Sequence, residues 1–396
     1  MTRRRILVTD GTQRSALAVV RSLGRAGHAV FVCAVRTPSI AGESRHAVAQ
    51  GTVADALHAP EQFVSDIQNR IEQWRIDMLI PITEASLLAL LPERDGLGVT
   101  IPFPDASVFR AVADKEALLA AAPRAGIAVP RQLVLHSADD MRGIDPSLLD
   151  YPVVLKPSRS VGEHDGHRVA MGVQHAADAV ALGRAVAGMS QAAFPLLVQQ
   201  RIVGPGTGVF LLIWEGKLLA SFSHRRLREK PPSGGVSVYS ESVVADDDLI
   251  ERSRLLLEQF GWNGVAMVEY KREMRTGIPY LMEVNGRFWG SLQLAVDAGV
   301  DFPALLVDAA SGNAPSPVTS YRTGVRSRWW WGDFDHLLAR WRGSAESLAL
   351  PPDAPSRLRA TFAFLTFWHS HDRSDVFRVS DARPFLHETI EWFRRR

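Results

Sequence analysis

The chain has 396 residues, a formal net charge of +2 and a single cysteine. At roughly 100–200 residues per domain, that length predicts two to three domains and a large core, and so small a net charge argues against a nucleic-acid partner. Hydrophobic residues make up 46% and charged residues 22%, the balance of an ordinary soluble protein. No run approaches the ~20 apolar residues of a membrane helix, so a cytoplasmic protein with no membrane partner is expected. Lone Cys33, inside the apolar run 29–35, excludes an intrachain disulfide and fits a reducing cytosol; it reads as a small buried hydrophobe. Arg3-Arg4-Arg5 and Arg394-Arg395-Arg396 read as solvated ends.

In chain order, residues 5–9 (RILVT) predict a buried strand, Asp10-Gly11-Thr12 a turn, 15–26 a helix and 29–35 a second strand, a βαβ opening that implies a parallel sheet. A dinucleotide turn needs several glycines, and Asp10-Gly11-Thr12-Gln13-Arg14 has one. Phe63, Ile67 and Ile71 give 62–74 one apolar helical face. A strand follows at 77–81, with Thr83-Glu84 behind it, and Asp114-Lys115-Glu116 opens another helix. From Tyr151 short strands dominate, at 152–157, 195–200, 208–214, 217–223, 264–270 and 279–284. Helices are expected at 249–260, 291–298 and 303–310. Strands and helices without regular alternation read as an α+β module. Asn313-Ala314-Pro315-Ser316-Pro317 reads as a linker. Beyond it, residues 327–331 suggest a buried strand and 362–368 an apolar aromatic segment, together the core of a small appended unit; Arg326 or Arg328 beside these tryptophans is the alternative, as a specificity pocket.

Chemistry concentrates in Glu283-Val284-Asn285-Gly286-Arg287. Residues two apart on a strand share a face, so Glu283 and Asn285 present a carboxylate and an amide oxygen side by side, hard ligands suited to Mg²⁺. If 264–270 and 279–284 pair, Glu269 joins them, and the set suits one or two Mg²⁺ bridging phosphates. Arg287 adds positive charge beside a reacting phosphate. Lys156 follows Val153-Val154-Leu155, and a lysine on a buried strand calls for an anion. Residues 158–166, including Ser160 and Gly162, form a small polar loop whose N–H groups suit phosphates. Residues 198–204 carry Gln199, Gln200 and Ile202 into a Gly/Pro-containing hinge, an apolar slot with backbone donors for an adenine ring. The basic run 224–230 precedes the Ser233-Gly234-Gly235 turn; from it Arg225 or Arg226 is placed to face a phosphoryl group or a carboxylate.

Taken in order, Asp114-Lys115, Lys156, the Ser/Gly loop, the hinge, Glu269 and Glu283-Val284-Asn285 resemble the ATP-grasp superfamily, most nearly its carboxylate–amine ligase and carbamoyl-phosphate-synthase-like branch, over residues 1–312. The resemblance implies a Rossmann-like pre-ATP-grasp α/β domain (1–110), a two-lobed ATP-grasp module (111–312, lobes about 111–195 and 196–312) and a Trp-rich C-terminal extension (313–396). It implies ATP phosphates on Lys115 and Lys156, adenine at Gln199, Gln200 and Ile202, and Mg²⁺ (with Mn²⁺ as substitute) on Glu269, Glu283 and Asn285. Two departures stand out: Gln200-Arg201 where an acidic hinge residue is common, and Gly206-Thr207-Gly208 where an acidic ribose contact is common. The implied activity joins small-molecule carboxylate and amine (or ammonia) substrates through an acyl phosphate, with ADP and phosphate released, the 158–166 loop closing as a lid and a homodimer left open. A small-molecule kinase and a non-catalytic ATP-binding protein are the alternatives.

Overall fold

The computed structural model describes residues 3–396 except 165–166, 233, 346, 349, 351–353 and 367–370. The expected βαβ opening is present. Strands β1 (Arg5–Val8), β2 (Ala29–Ala34), β3 (Ala47–Thr52) and β4 (Met78–Ile80) form a parallel sheet in the order β3-β2-β1-β4. Helices lie between successive strands, Arg14–Arg25 after β1 and Pro60–Trp74 after β3. Ile6, Leu7 and Val8 are fully buried, as a strand sandwiched between helices requires. The Cys33 side chain lies in this core, and burial pushes its thiol up to about 12, which leaves it an inert hydrophobe at neutral pH.

The next strands are β5 (Gln132–Leu135), β6 (Val153–Pro157), β7 (Val161–His164), β8 (His167–Ala170), β9 (Gln174–Ala176) and β10 (Leu196–Gln200). Four of them make an antiparallel sheet, β5-β10-β6-β9, while β7 and β8 pair as a separate hairpin. The expected phosphate loop is therefore largely a hairpin; Asp165 and Gly166 of that segment lie outside the described residues. Strand β10 also belongs to this first lobe, so its sheet runs past the expected boundary at residue 195.

The large sheet holds seven strands: β11 (Gly206–Trp214), β12 (Lys217–Lys230), β13 (Val236–Ser242), β14 (Gly264–Arg272), β15 (Pro279–Asn285), β16 (Arg326–Arg328) and β17 (Asp372–Ser374), ordered β15-β14-β11-β12-β13-β16-β17. Strand β12 does not stop at 223. Its basic second half pairs with β13 through Lys230, so that stretch is strand rather than loop. Strands β16 and β17 add to the same sheet, which makes the C-terminal region an extension of the lobe and not a detached unit. The expected strand at 327–331 is only partly strand; helix Trp330–Arg342 takes its second half. Of the 362–368 segment, 362–365 is helical, and Phe367 and Trp368 lie outside the described residues.

Two hydrophobic cores explain the cleft. One runs through the parallel sheet, its helices and the large sheet. The other, built on Leu135, Val153, Leu155, Leu182, Leu196 and Val198, is private to the first lobe. Alternation along β6 and β10 turns Val153, Leu155, Leu196 and Val198 into that private core and leaves Val154, Lys156, Leu197 and Gln199 on the opposite face. That opposite face meets the large sheet, and the cleft lies along the seam.

Candidate active site

The seam holds a cavity of about 450 Å³. Lys156 and Gln199 enter from the first lobe. Gln200, Arg201 and Ile202 come from the hinge, and Met267, Glu269, Lys271, Glu283, Asn285 and Arg287 from β14, β15 and the turn after them. The two-residue spacing does what the sequence predicts: 267, 269 and 271 line the cavity from β14, and 283 and 285 from β15. Glu269 and Glu283 are direct register partners. Gly286 is required by packing, because a Cβ there would stand 2.2 Å from the Trp262 ring.

Polar contacts tie the set together. Asn285 Nδ2 donates to Glu283 Oε1 (2.9 Å), and Arg287 Nη2 donates to Asn285 Oδ1 (3.2 Å). Lys115 Nζ lies 4.0 Å from Glu283 Oε2 and donates to Ser160 Oγ (3.1 Å). Asp114 fixes this corner: its carboxylate caps helix Lys115–Ala121 and accepts from Ser158 Oγ (2.6 Å) and Arg159 Nε (3.1 Å). Lys156 Nζ lies 3.8 Å from Met282 Sδ.

Electrostatics separate the two carboxylates. Burial raises both, but Lys115, the Asn285 hydrogen bond, Lys156 and Arg287 outweigh it at Glu283 and hold that group below its ordinary range. At Glu269 burial dominates over Arg226, and the group is held above its ordinary range. Lys156 is brought down to about 8 by burial, against the pull of Glu283 and Glu269.

Several candidates change place. Arg226 lines the cavity and bonds Glu269 Oε2 (2.5 Å) and Glu229 Oε1 (2.8 Å). Its neighbour Arg225 points to the other face of β12 and chelates Glu241 (2.8 and 2.6 Å), which removes it from the candidate catalytic set. Gly162 lines neither this cavity nor the second one described below; a Cβ there would meet Ala192 O at 2.7 Å and Met171 Cε at 2.9 Å, so packing accounts for it. Of the Ser233-Gly234-Gly235 turn, Ser233 lies outside the described residues, and Gly234 and Gly235 line the cavity. Arg326 pairs with Glu241 and Arg328 with Asp333; neither lines this cavity or the second one. Sequence reasoning missed Lys271 and Glu229, both cavity-lining. Lys271 was findable, two residues beyond Glu269 on the same face.

A second cavity of about 280 Å³ lies between the parallel-sheet domain and the β7–β8 hairpin, and Arg287 lines it as well as the first. Ser160 belongs to it.

Two lobes clasping a cleft lined with lysines and strand-borne glutamates define the class: the chain has the ATP-grasp fold. Residues 193–331 match the family described as ATP-grasp in the biosynthetic pathway with Ter operon. Among solved structures, an L-amino acid ligase from Bacillus licheniformis is similar at 16% identity and a TM-score of 0.62, over 80% of this chain and 76% of that one. Biotin carboxylase from Campylobacter jejuni, solved with β,γ-ATP, is similar at 16% identity and a TM-score of 0.64 (82% and 74%). N5-carboxyaminoimidazole synthetase from Staphylococcus aureus, solved with ADP, is similar at 14% identity and a TM-score of 0.62 (82% and 80%). No curated protein matches the chain in sequence. No helix of the described residues is long and apolar enough to cross a membrane.

Proposed function

We propose that the chain is an ATP-dependent ligase that activates a carboxylate as an acyl phosphate and joins it to an amine or ammonia. The observation that carries this reading is the convergence of Lys156, Arg226 and Arg287 on the Glu269–Glu283–Asn285 set in one cavity, with Lys115 reaching Glu283 from outside it. Carboxylates make poor electrophiles because oxide is the leaving group; a phosphoryl group replaces oxide with phosphate. Cations around the transferred oxygens are what that transfer needs.

The donor set fits Mg²⁺: two carboxylates on adjacent strands and an amide oxygen, all hard, with Glu283 kept ionised. Among the described residues no three His, Cys, Asp or Glu side chains cluster as a cage. Glu269, Glu283 and Asn285 would hold the ion, and when bound it supplies charge neutralisation at the phosphates. Lys115 and Lys156 bind phosphate oxygens from the first-lobe side. Ile202, Val154 and Met282 provide apolar walls for an adenine ring, with Gln199 and Gln200 at the edge. Arg287, at the junction of the two cavities, orients the carboxylate toward the phosphoryl group.

Offering the purified protein Mg-ATP with amino acids and small acids, each with ammonia or an amine, tests this by ADP release and product identity. An amide supports the reading. A stable phosphorylated product points to a kinase, and tight ATP binding without ADP release in every mixture points to a non-catalytic protein.

A further inference from the structure

Resting on the ligase reading, we propose that the second cavity is the amine subsite, that it takes a small primary amine with an apolar substituent, and that Glu84 receives the amine proton. In the sequence Glu84 follows a strand and carries no local signal of its own. The fold places it at the start of helix Glu84–Leu90, whose entry is fixed by Asp10: that carboxylate accepts from Thr83 N (3.1 Å), Thr83 Oγ1 (3.1 Å) and Ser86 Oγ (2.9 Å). The roof is the β7–β8 hairpin, anchored on this helix by Arg168 Nη2 to Leu88 O (3.5 Å).

The lining is divided. Leu57, Ile82 and Val161 are apolar; Gln13, Ser160 and Thr83 are polar and uncharged. The two charged residues are Glu84 and Arg287. Arg287 already bonds Asn285 Oδ1 and Phe288 O. Among the described residues no hydrogen bond or ion pair engages the Glu84 carboxylate; its neighbours Arg287, Lys115 and Glu283 act on it only at a distance. A half-buried carboxylate facing a cavity without a partner calls for a cationic or N–H-bearing ligand. Burial holds Glu84 above the ordinary carboxylate range, which makes it a stronger base than a solvated glutamate.

Because Arg287 borders both cavities, an amine at Glu84 stands beside the place where the carboxyl carbon is activated. The Glu84 carboxylate takes one proton from the bound ammonium, and the lone pair so freed forms the C–N bond. The C–O bond to the phosphoryl group breaks and phosphate leaves with its electrons. The nitrogen's second surplus proton leaves with the phosphate.

The test uses the full chain with n-propylamine as probe, in the presence of Mg²⁺ and a non-hydrolysable ATP analogue. Wild type is expected to bind the amine by saturation-transfer NMR. Glu84→Gln, and Ala170→Phe at the exposed rim, are each expected to weaken that binding by roughly tenfold or more, with nucleotide affinity moving less than about twofold. In turnover, Glu84→Gln should raise the KM for propylamine and flatten the acidic limb of the pH–rate profile. Amine binding that survives both substitutions overturns the subsite. ADP release with an unchanged propylamine KM in Glu84→Gln overturns it too, while leaving the ligase reading intact. Binding that is lost in both variants, with no ADP release from wild type for any acid offered, keeps the amine site and overturns the ligase reading instead.

Discussion

Glu269 and Glu283 are register partners on adjacent strands, yet their surroundings push them in opposite directions, Glu269 up and Glu283 down. The difference lies in what each faces: Glu269 is bonded by Arg226 at 2.5 Å, whereas Glu283 sits among Lys115, Lys156 and Arg287. Glu283 is thus the carboxylate ready to take a cation at neutral pH. Glu283→Ala is expected to lower Mg²⁺-dependent ADP release by about 100-fold or more. Its side chain is about one-third exposed, so the melting temperature should stay close to that of wild type. Near-normal turnover at saturating Mg²⁺ would refute the assignment of the metal to this residue.

Lys156 titrates at about 8, which gives nucleotide binding a pH signature. A lysine brought down from its ordinary value keeps its charge below about 8 and loses it above. Nucleotide affinity should therefore fall as pH rises through that region. Lys156→Met is expected to bind nucleotide about tenfold more weakly and to lack this alkaline decline. Calorimetric titrations of an ATP analogue at pH 7 and pH 9 read both effects; a variant that keeps the decline would assign it to another group.

The parts of this site that could be read from sequence are those fixed by strand periodicity. Glu283 and Asn285 share a face whatever strand pairs with theirs, and Lys156 follows a run whose alternate residues bury themselves. Choosing between Arg225 and Arg226 needs the register of β12 against β13, where Arg225 lies opposite Glu241, and composition does not carry register. The 158–166 segment read as a loop because its residues are small and polar, but a hairpin lying on another domain needs no apolar alternation of its own. Strands β16 and β17 pair across more than 40 intervening residues, beyond any local pattern. Glu84 was invisible for the same reason: its cavity is assembled from the first domain, the hairpin and Arg287.

His224 makes acid sensitivity part of the fold. It is fully buried, edge-on to Phe210 (4.7 Å), with Ser291 Oγ 3.4 Å from Nδ1 and, among the described residues, no hydrogen-bond partner for Nε2. Burial, aided by Arg226, takes it down to about 3. The unfolded chain binds a proton near its ordinary value and the folded chain does not, so stability is full above that value and is lost as pH falls. This one group should remove about 1.4 kcal/mol per pH unit between roughly 6.5 and 3. Urea unfolding at pH 7, 6 and 5 should show a shallower loss in His224→Phe than in wild type. Equal slopes would mean that the imidazole does not titrate with unfolding.

Asp333 holds the C-terminal extension to the strand that carries Arg226. Its carboxylate takes two bonds from Arg228 of β12 (2.6 Å each) and one from Arg328 of β16 (2.6 Å), and it is fully buried. Arg228 lies two residues beyond Arg226, so the grip on one sets the course of the backbone that carries the other. Losing a shared buried carboxylate removes the counter-charge that it gives to two guanidinium groups, a change expected to destabilise the fold by about 3–5 kcal/mol. Asp333→Ala should therefore unfold at markedly lower denaturant. Where it remains folded, it should also show weaker nucleotide binding, because Arg226 is no longer held against Glu269. Asp333→Asn keeps an oxygen acceptor but not the charge, and should fall between the two. A variant as stable as wild type would mean that the arginines find solvent, and that the extension is held by its other contacts with β12, such as Lys230 Nζ on Asp335 Oδ2 (2.5 Å), rather than by this ion triad.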